Sequence, residues 1–266
     1  MSTLTPKPVD KNRPTQTHLG RVKKEAVRRG IPFDLTLDDC RRQFDMQLGR
    51  CRYSGRVLSF DINDHTASLD RWSSVSGYSP DNIQYVHKTV NSMKHILTDS
   101  EFIGIVNQVS RRPLSVVSGH HLEEAPARRK TFKGAGLISG EYIGAVRNGA
   151  NRRDIEFDLT AEYVNDLFIR QRGLCTLTGW MLVPKTFVGG TKGNLSIDRI
   201  DNDLGYIEGN VQLVRKEANF LRGSLTMDEL YAWCDEICAW LDFTSTPEFL
   251  INYNKYLGEL ERDVFV

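Results

Sequence analysis

The sequence predicts an α+β chain made of two tandem copies of one small unit, a pair of strands followed by a helix, each copy flanked by further helices. Three observations carry this. First, residues 68–91 (SLDRWSSVSGYSPDNIQYVHKTVN) recur as residues 196–219 (SIDRIDNDLGYIEGNVQLVRKEAN) at a constant spacing of 128. Both copies hold Asp-Arg (Asp70-Arg71; Asp198-Arg199), Gly-Tyr (Gly77-Tyr78; Gly205-Tyr206), one Asn (Asn82; Asn210) and a second Asn (Asn91; Asn219). From the Asp, the Tyr stands at +8 and the two Asn at +12 and +21 in both copies. Second, residues 19–36 match 143–160 at a spacing of 124, sharing Arg-Arg and Phe-Asp-Leu-Thr. Third, the segments after these matches carry apolar residues at helical spacing, such as Leu37, Cys40, Phe44 and Leu48. A repeat kept for its core alone would preserve apolar positions and let polar ones drift; here the polar types match.

The elements follow in order. Residues 1–18, with three Pro among polar residues, predict a flexible arm. A basic helix then ends near Gly30 in the first copy and Asp154 in the second, and an extended Ile-x-Phe piece follows. Thr36 and Thr160 cap the next helices, 37–48 and 161–172, with Thr36-x-x-Asp39 a variant of the capping box. Each of these helices runs into a Gly-x-Cys turn (Gly49, Cys51; Gly173, Cys175). The change of spacing from 124 to 128 places an insertion in the loop 184–194.

Within the long motif, strands are expected at 68–71 and 82–86 (196–199 and 210–214), and a helix starts at His87 or Arg215. Thr98-Asp-Ser-Glu101 and Thr226-Met-Asp-Glu229 cap a closing helix in each copy. The expected organisation is an arm over 1–18, a first module over 19–107, a linker over 108–131, a second module over 132–241 and a helical tail over 242–266.

Composition narrows the function classes. No apolar run of membrane-spanning length is present, and the N-terminal residues have no apolar core of a signal peptide. Five cysteines without a CxxC pair point to reduced thiols and a cytoplasmic setting. The net charge of +1 is uninformative, but basic residues cluster at 21–29 and 147–153, equivalent positions of the two copies.

The spaced pattern DR-(x)6-GY-(x)3-N-(x)8-N, preceded by C-x2-[ST]-G, resembles the phage-type HNH endonucleases of the ββα-metal (His-Me finger) fold. Among these it is most similar to restriction enzymes of the PacI kind, in which a tyrosine replaces the usual histidine. The resemblance implies two ββα-metal modules related by pseudo-two-fold symmetry. It implies one Mg²⁺ or Mn²⁺ per module, held by Asp70 and Asn91 and by Asp198 and Asn219, since a hard cation takes oxygen ligands.

Where most HNH enzymes carry a histidine after the aspartate, this chain has Arg71 and Arg199. An arginine cannot take a proton but can clamp a phosphate. The resemblance passes the role of base or nucleophile to Tyr78 and Tyr206; a water-orienting role, or plain packing of a turn tyrosine, stays open. Asn82 and Asn210 would hold the loop between the strands. Structural zinc is not expected, because the positions of the usual cysteine pairs hold Ser54, Thr178, Val90 and Ala218 among others.

The implied function is a sequence-specific double-strand DNA endonuclease of homing or restriction type, in a bacterium or a phage-infected cell, working as a monomeric pseudo-dimer away from membranes. The alternatives are a nickase with one degenerate module and an inactive DNA-binding protein. Expected phosphate contacts are Arg21, Lys23, Lys24, Arg28 and Arg29 in the first copy and Arg147, Arg152 and Arg153 in the second. Lys94 and Arg222, in the helix of each core motif, complete that set.

Overall fold

The computed structural model describes residues 13–61, 64–113, 137–184 and 193–263, with side chains through residue 258. It is an α+β arrangement of helices and two-stranded sheets. The described residues fall into two compact units. One runs to Phe102 and takes up the chain again from Trp233; the other is Ile103–Ala232.

In the first unit, α1 (Gln16–Arg28) is capped by the Thr15 hydroxyl, which accepts from the His18 amide. Leu19 and Ala26 turn inward from α1, while Arg21, Lys23, Lys24, Arg28 and Arg29 are exposed. α2 (Leu37–Met46) begins with a complete capping box between Thr36 and Asp39 and buries Cys40 and Phe44. Such a cap is worth about 1 kcal/mol, enough to fix where a short helix starts.

β1 (Ala67–Asp70) then pairs antiparallel with β2 (Gln84–His87), so that Asp70 faces Gln84 across the ladder. α3 (Lys88–Lys94) lies against both strands, and α4 (Asp99–Ser110) starts at the Thr98–Glu101 box.

The second unit repeats the order. α5 (Gly140–Asn151) leads to β3 (Phe157–Asp158) and α6 (Ala161–Arg170), capped by Thr160. β4 (Leu195–Arg199) pairs antiparallel with β6 (Val211–Arg215), with Asp198 opposite Gln212. α7 (Lys216–Arg222) packs on both strands. β5 (Tyr206–Ile207) pairs in parallel with β3; the first unit has a single parallel bridge there, Phe33 with Tyr78. α8 (Met227–Thr244) and α9 (Pro247–Asp263) close the chain.

Three sequence expectations are corrected. The arm expected over 1–18 lies outside the described residues up to position 12, and from Arg13 the chain is docked. Arg13 pairs with Asp45, and His18 is buried edge-on to Phe60 with ring centroids 4.9 Å apart. The second strand, expected from Asn82, starts two residues later, because Pro80–Asn82 form a 3₁₀ turn.

Third, the residues from Trp233 onward belong to the first compact unit, not to the second module or a separate tail. Trp233 stacks near His87 (4.8 Å between centroids), Glu236 accepts from Arg56 at 2.6 Å, and the Tyr256 hydroxyl donates to the Asp45 carbonyl at 2.9 Å. Apolar spacing marked these helices without marking their partner. Most of the expected linker and the insertion at 185–192 lie outside the described residues.

Candidate active site

The core of each candidate site is a strand face and a helix face meeting. Side chains two apart on a strand share a face, and those three apart on a helix do so too. Ser68 and Asp70 on β1 therefore meet Asn91 and Lys94 on α3. The Asn91 amide donates to Ser68 Oγ at 2.7 Å, and Lys94 Nζ lies 3.1 Å from Asp70 Oδ2. The second unit repeats this: the Asn219 amide donates to Ser196 Oγ at 2.8 Å, and Arg222 donates to Asp198 Oδ1 at 2.6 Å. In both units the cross-strand glutamine donates to the aspartate, Gln84 to Asp70 at 2.8 Å and Gln212 to Asp198 at 2.9 Å.

Asp70 and Asp198 are both buried. Burial pushes the Asp198 carboxyl upward, opposed by Arg222, Gln212 and Arg199.

Lys94 and Arg222 are 0% and 1% exposed. Both are buried partners of the aspartates and not phosphate contacts on the surface, which corrects the sequence expectation. A positive charge near a motif reads as a surface group until the fold places a carboxylate beside it.

Arg71 and Arg199 tie down the loop. Arg71 Nη1 donates to the carbonyls of Ser74 (2.9 Å) and Ser76; Arg199 Nη1 donates to those of Asn202 and Leu204, both at 2.7 Å. Their guanidinium centres lie over the tyrosine rings, 5.2 Å from Tyr78 and 5.4 Å from Tyr206. Among the described residues, no hydrogen bond joins Asp70 to Arg71 or Tyr78; the link runs through Lys94 Nζ, which donates to the Arg71 carbonyl at 3.1 Å.

Tyr206 is buried, and its hydroxyl accepts from Arg153 at 3.2 Å. Arg147 lies over the neighbouring Phe157 ring at 5.2 Å. Arg147, Arg152 and Arg153 are exposed, as are the five basic residues of the first copy.

Asn82 and Asn210 close the loop with three bonds each. Asn82 Oδ1 accepts from the Ser73 amide at 2.8 Å, and Nδ2 donates to the carbonyls of Ser73 (3.1 Å) and Gly77 (2.8 Å). Asn210 does the same with Asp201 (2.9 and 3.0 Å) and Gly205 (2.9 Å). The glycines allow the loop to approach the extended segment before α2 or α6: a Cβ on Gly77 would stand 2.6 Å from the Pro32 carbonyl oxygen, and one on Gly205 2.7 Å from that of Glu156. The following tyrosine amide then bonds that same carbonyl, at 2.9 Å for Tyr78 and 2.8 Å for Tyr206.

Whether a divalent cation fits is decided by the donors. Because the Asn91 amide nitrogen is spent on Ser68, its oxygen is left as an acceptor. Asp70 receives both of its bonds on Oδ2, and no hydrogen bond reaches its Oδ1 among the described residues. One carboxylate and one amide oxygen, completed by water and phosphate, suit Mg²⁺ or Mn²⁺. Among the described residues no group of three or more His, Cys, Asp or Glu comes together, so the protein would supply no more extensive cage. Sequence reasoning passed over Ser68, Ser196, Gln84 and Gln212, although each recurs at the same spacing in both copies.

No protein-family model matches the chain, and no solved structure matches it. Over 82 residues the chain is 34% identical to an uncharacterized 29.0 kDa protein encoded in the dda–modA intergenic region of Enterobacteria phage T4. The match spans 30% of this chain and 30% of the phage protein's length.

Proposed function

We propose that the chain is a metal-dependent DNA endonuclease of the HNH, ββα-metal type. The observation that carries the reading is the recurrence, in both units, of an aspartate and an asparagine on one strand–helix face, with a serine orienting the asparagine oxygen. A divalent cation bound there supplies charge stabilisation for the phosphate and the leaving oxygen. The chain's own residues do the rest. Arg71, its Nη1 spent on the loop, keeps Nη2 and Nε to hold a phosphate oxygen. Tyr78, its ring beneath that guanidinium, brings a hydroxyl that acts as base or nucleophile or orients an attacking water. The exposed basic faces of α1 and α5 hold the duplex by its backbone.

Incubating the protein with plasmid DNA and Mg²⁺, with EDTA and an Asp70→Ala/Asp198→Ala variant as controls, tests this. Cleavage lost with chelator and with the variant is expected; intact DNA under all conditions overturns it. Sequencing the ends produced from a genomic DNA pool separates specific from indiscriminate cutting.

A second reading, a DNA-binding protein without cleavage, is favoured by one feature: each aspartate already holds an internal cation, Lys94 or Arg222. The same chelator experiment separates the two.

A further inference from the structure

We infer that the two units differ as cation sites: the first takes one divalent ion on Asp70 and Asn91, whereas the second has its cation built in as Arg222. This rests on the nuclease reading only for its consequence, single-strand cutting, and not for the ion count itself.

The argument is a comparison of equivalent positions. Several residues change together between the repeats: Tyr53, Lys94 and Asp99 of the first correspond to Leu177, Arg222 and Met227 of the second, and Arg52 and Ser74 to Thr176 and Asn202. In the first unit Tyr53, Lys94 and Asp99 line one polar cluster with Asp70. Gln84 Nε2 donates to Asp70 and to the Tyr53 hydroxyl (2.9 Å), and Asp99 Oδ1, buried without a hydrogen bond, lies 3.5 Å from Lys94 Nζ. In the second unit this cluster is gone. Arg222 alone reaches Asp198 Oδ1, the Arg199 carbonyl, the Ile200 carbonyl (2.8 Å) and Asn202 Oδ1 (3.5 Å).

Two consequences follow. Both carboxylate oxygens of the second unit accept a bond, Oδ1 from Arg222 and Oδ2 from Gln212, while Asp70 Oδ1 receives no hydrogen bond among the described residues. Around the carboxylate, moreover, the second unit has one negative charge fewer, because Met227 stands where the first has Asp99. Asp201 does not restore it, being exposed and accepting from the Asp203 amide at 2.8 Å.

An orphaned oxygen provides an independent sign. Gln84 is fully buried, and its Oε1 has no hydrogen-bond partner. Its counterpart, Gln212 Oε1, accepts from Thr176 Oγ1 at 2.7 Å. A buried unsatisfied acceptor is costly unless something supplies positive charge or a proton to it. An ion or its bound water would do so in the first unit; in the second unit the orphan is Arg222 Nε, a donor, which a cation could not satisfy. Displacing Arg222 would require breaking a guanidinium held by a carboxylate and two carbonyls, whereas Lys94 keeps Asp99 as a second partner when an ion claims Asp70 Oδ1.

The test counts Mn²⁺ bound to the full-length protein, by electron paramagnetic resonance and by calorimetry, with thermal melts confirming that each variant folds. One ion per chain is expected, lost in Asp70→Asn and kept in Asp198→Asn. Because Asp198→Asn disturbs a buried ion pair, an exchange variant gives a second line. Leu177→Tyr/Arg222→Lys/Met227→Asp should raise the count from one to two, and Tyr53→Leu/Lys94→Arg/Asp99→Met should lower it to zero. Two ions in the wild type, no ion at all, or an ion lost with Asp198→Asn instead of Asp70→Asn overturns the inference.

Cleavage is read separately. Supercoiled plasmid converted to open circle, with linear DNA arising only from it, is the expected product pattern. Two ions with direct linearisation leaves the nuclease reading standing and removes this one. One ion at Asp70 without any cleavage does the reverse.

Discussion

Lys94 and Arg222 stand at equivalent positions of the two repeats, each fully buried and each paired with the aspartate of its own unit, Lys94 with Asp70 and Arg222 with Asp198. Removing one member of a buried pair leaves an uncompensated charge and costs roughly 3–5 kcal/mol. Arg222→Met should therefore lower stability by about that amount in urea unfolding. Asp198→Leu/Arg222→Met should recover much of it, since no charge is then stranded. A single variant within about 1 kcal/mol of wild type would mean the pair is solvated in solution.

Gly77→Ala and Gly205→Ala test the close approach of loop and extended segment. A methyl group at either position meets a backbone carbonyl inside contact distance, 2.6 Å at Pro32 and 2.7 Å at Glu156, and backbone cannot swing aside as a side chain does. Each substitution should cost at least about 1–3 kcal/mol, the range for overpacking. Because the Tyr78 and Tyr206 amides bond those carbonyls, their exchange protection should fall more than that of the β1–β2 or β4–β6 ladders. Uniform loss of protection would refute a local effect.

Asn82→Asp and Asn210→Asp separate hydrogen bonding from size. The carboxylate matches the amide in volume but cannot donate to the two carbonyls that each asparagine now serves. Each variant should lose about 2–4 kcal/mol, from two bonds at about 1 kcal/mol each plus a buried charge. Equal stability of wild type and Asn82→Asp above pH 6 would show that the loop is held by something else.

Legibility in the sequence followed the chemistry of each residue. Spacing alone placed β1, β2 and α3 and their counterparts to within about two residues, because the repeat fixes register twice over. Asn82 and Asn210 were readable as loop clasps because asparagine offers a donor and an acceptor to a backbone turn. Lys94 and Arg222 were misread, since a charge on a short helix carries no sign of which face it occupies until the strand beneath is known. The docking of Trp233 and Tyr256 on the first unit was unreadable for a related reason: apolar spacing says that a helix has a partner and not which one. Ser68 and Gln84 were visible as repeated letters, but their work depends on the cross-strand register that pairs Asp70 with Gln84.

His18 supplies a pH prediction whose sign can be worked through. Burial, with His65 and Arg21 nearby, holds its imidazole down at about 4, against an ordinary value of 6.5, and its Nε2 is buried without a partner. The folded chain thus keeps His18 neutral in a range where the unfolded chain takes up a proton. Its contribution to stability is complete above about pH 6.5 and is lost as the pH falls toward 4, up to about 3 kcal/mol at about 1.4 kcal/mol per pH unit. His87, also lowered by burial, and the carboxylates add slopes of their own, so the measurement is a difference. Urea unfolding of wild type and His18→Leu between pH 7.5 and pH 4.5 should show the gap between them shifting in the variant's favour on acidification by about 2–3 kcal/mol. A gap that stays constant across that range would place a proton on His18 in the folded state, and with it a partner for Nε2 that the buried position does not provide.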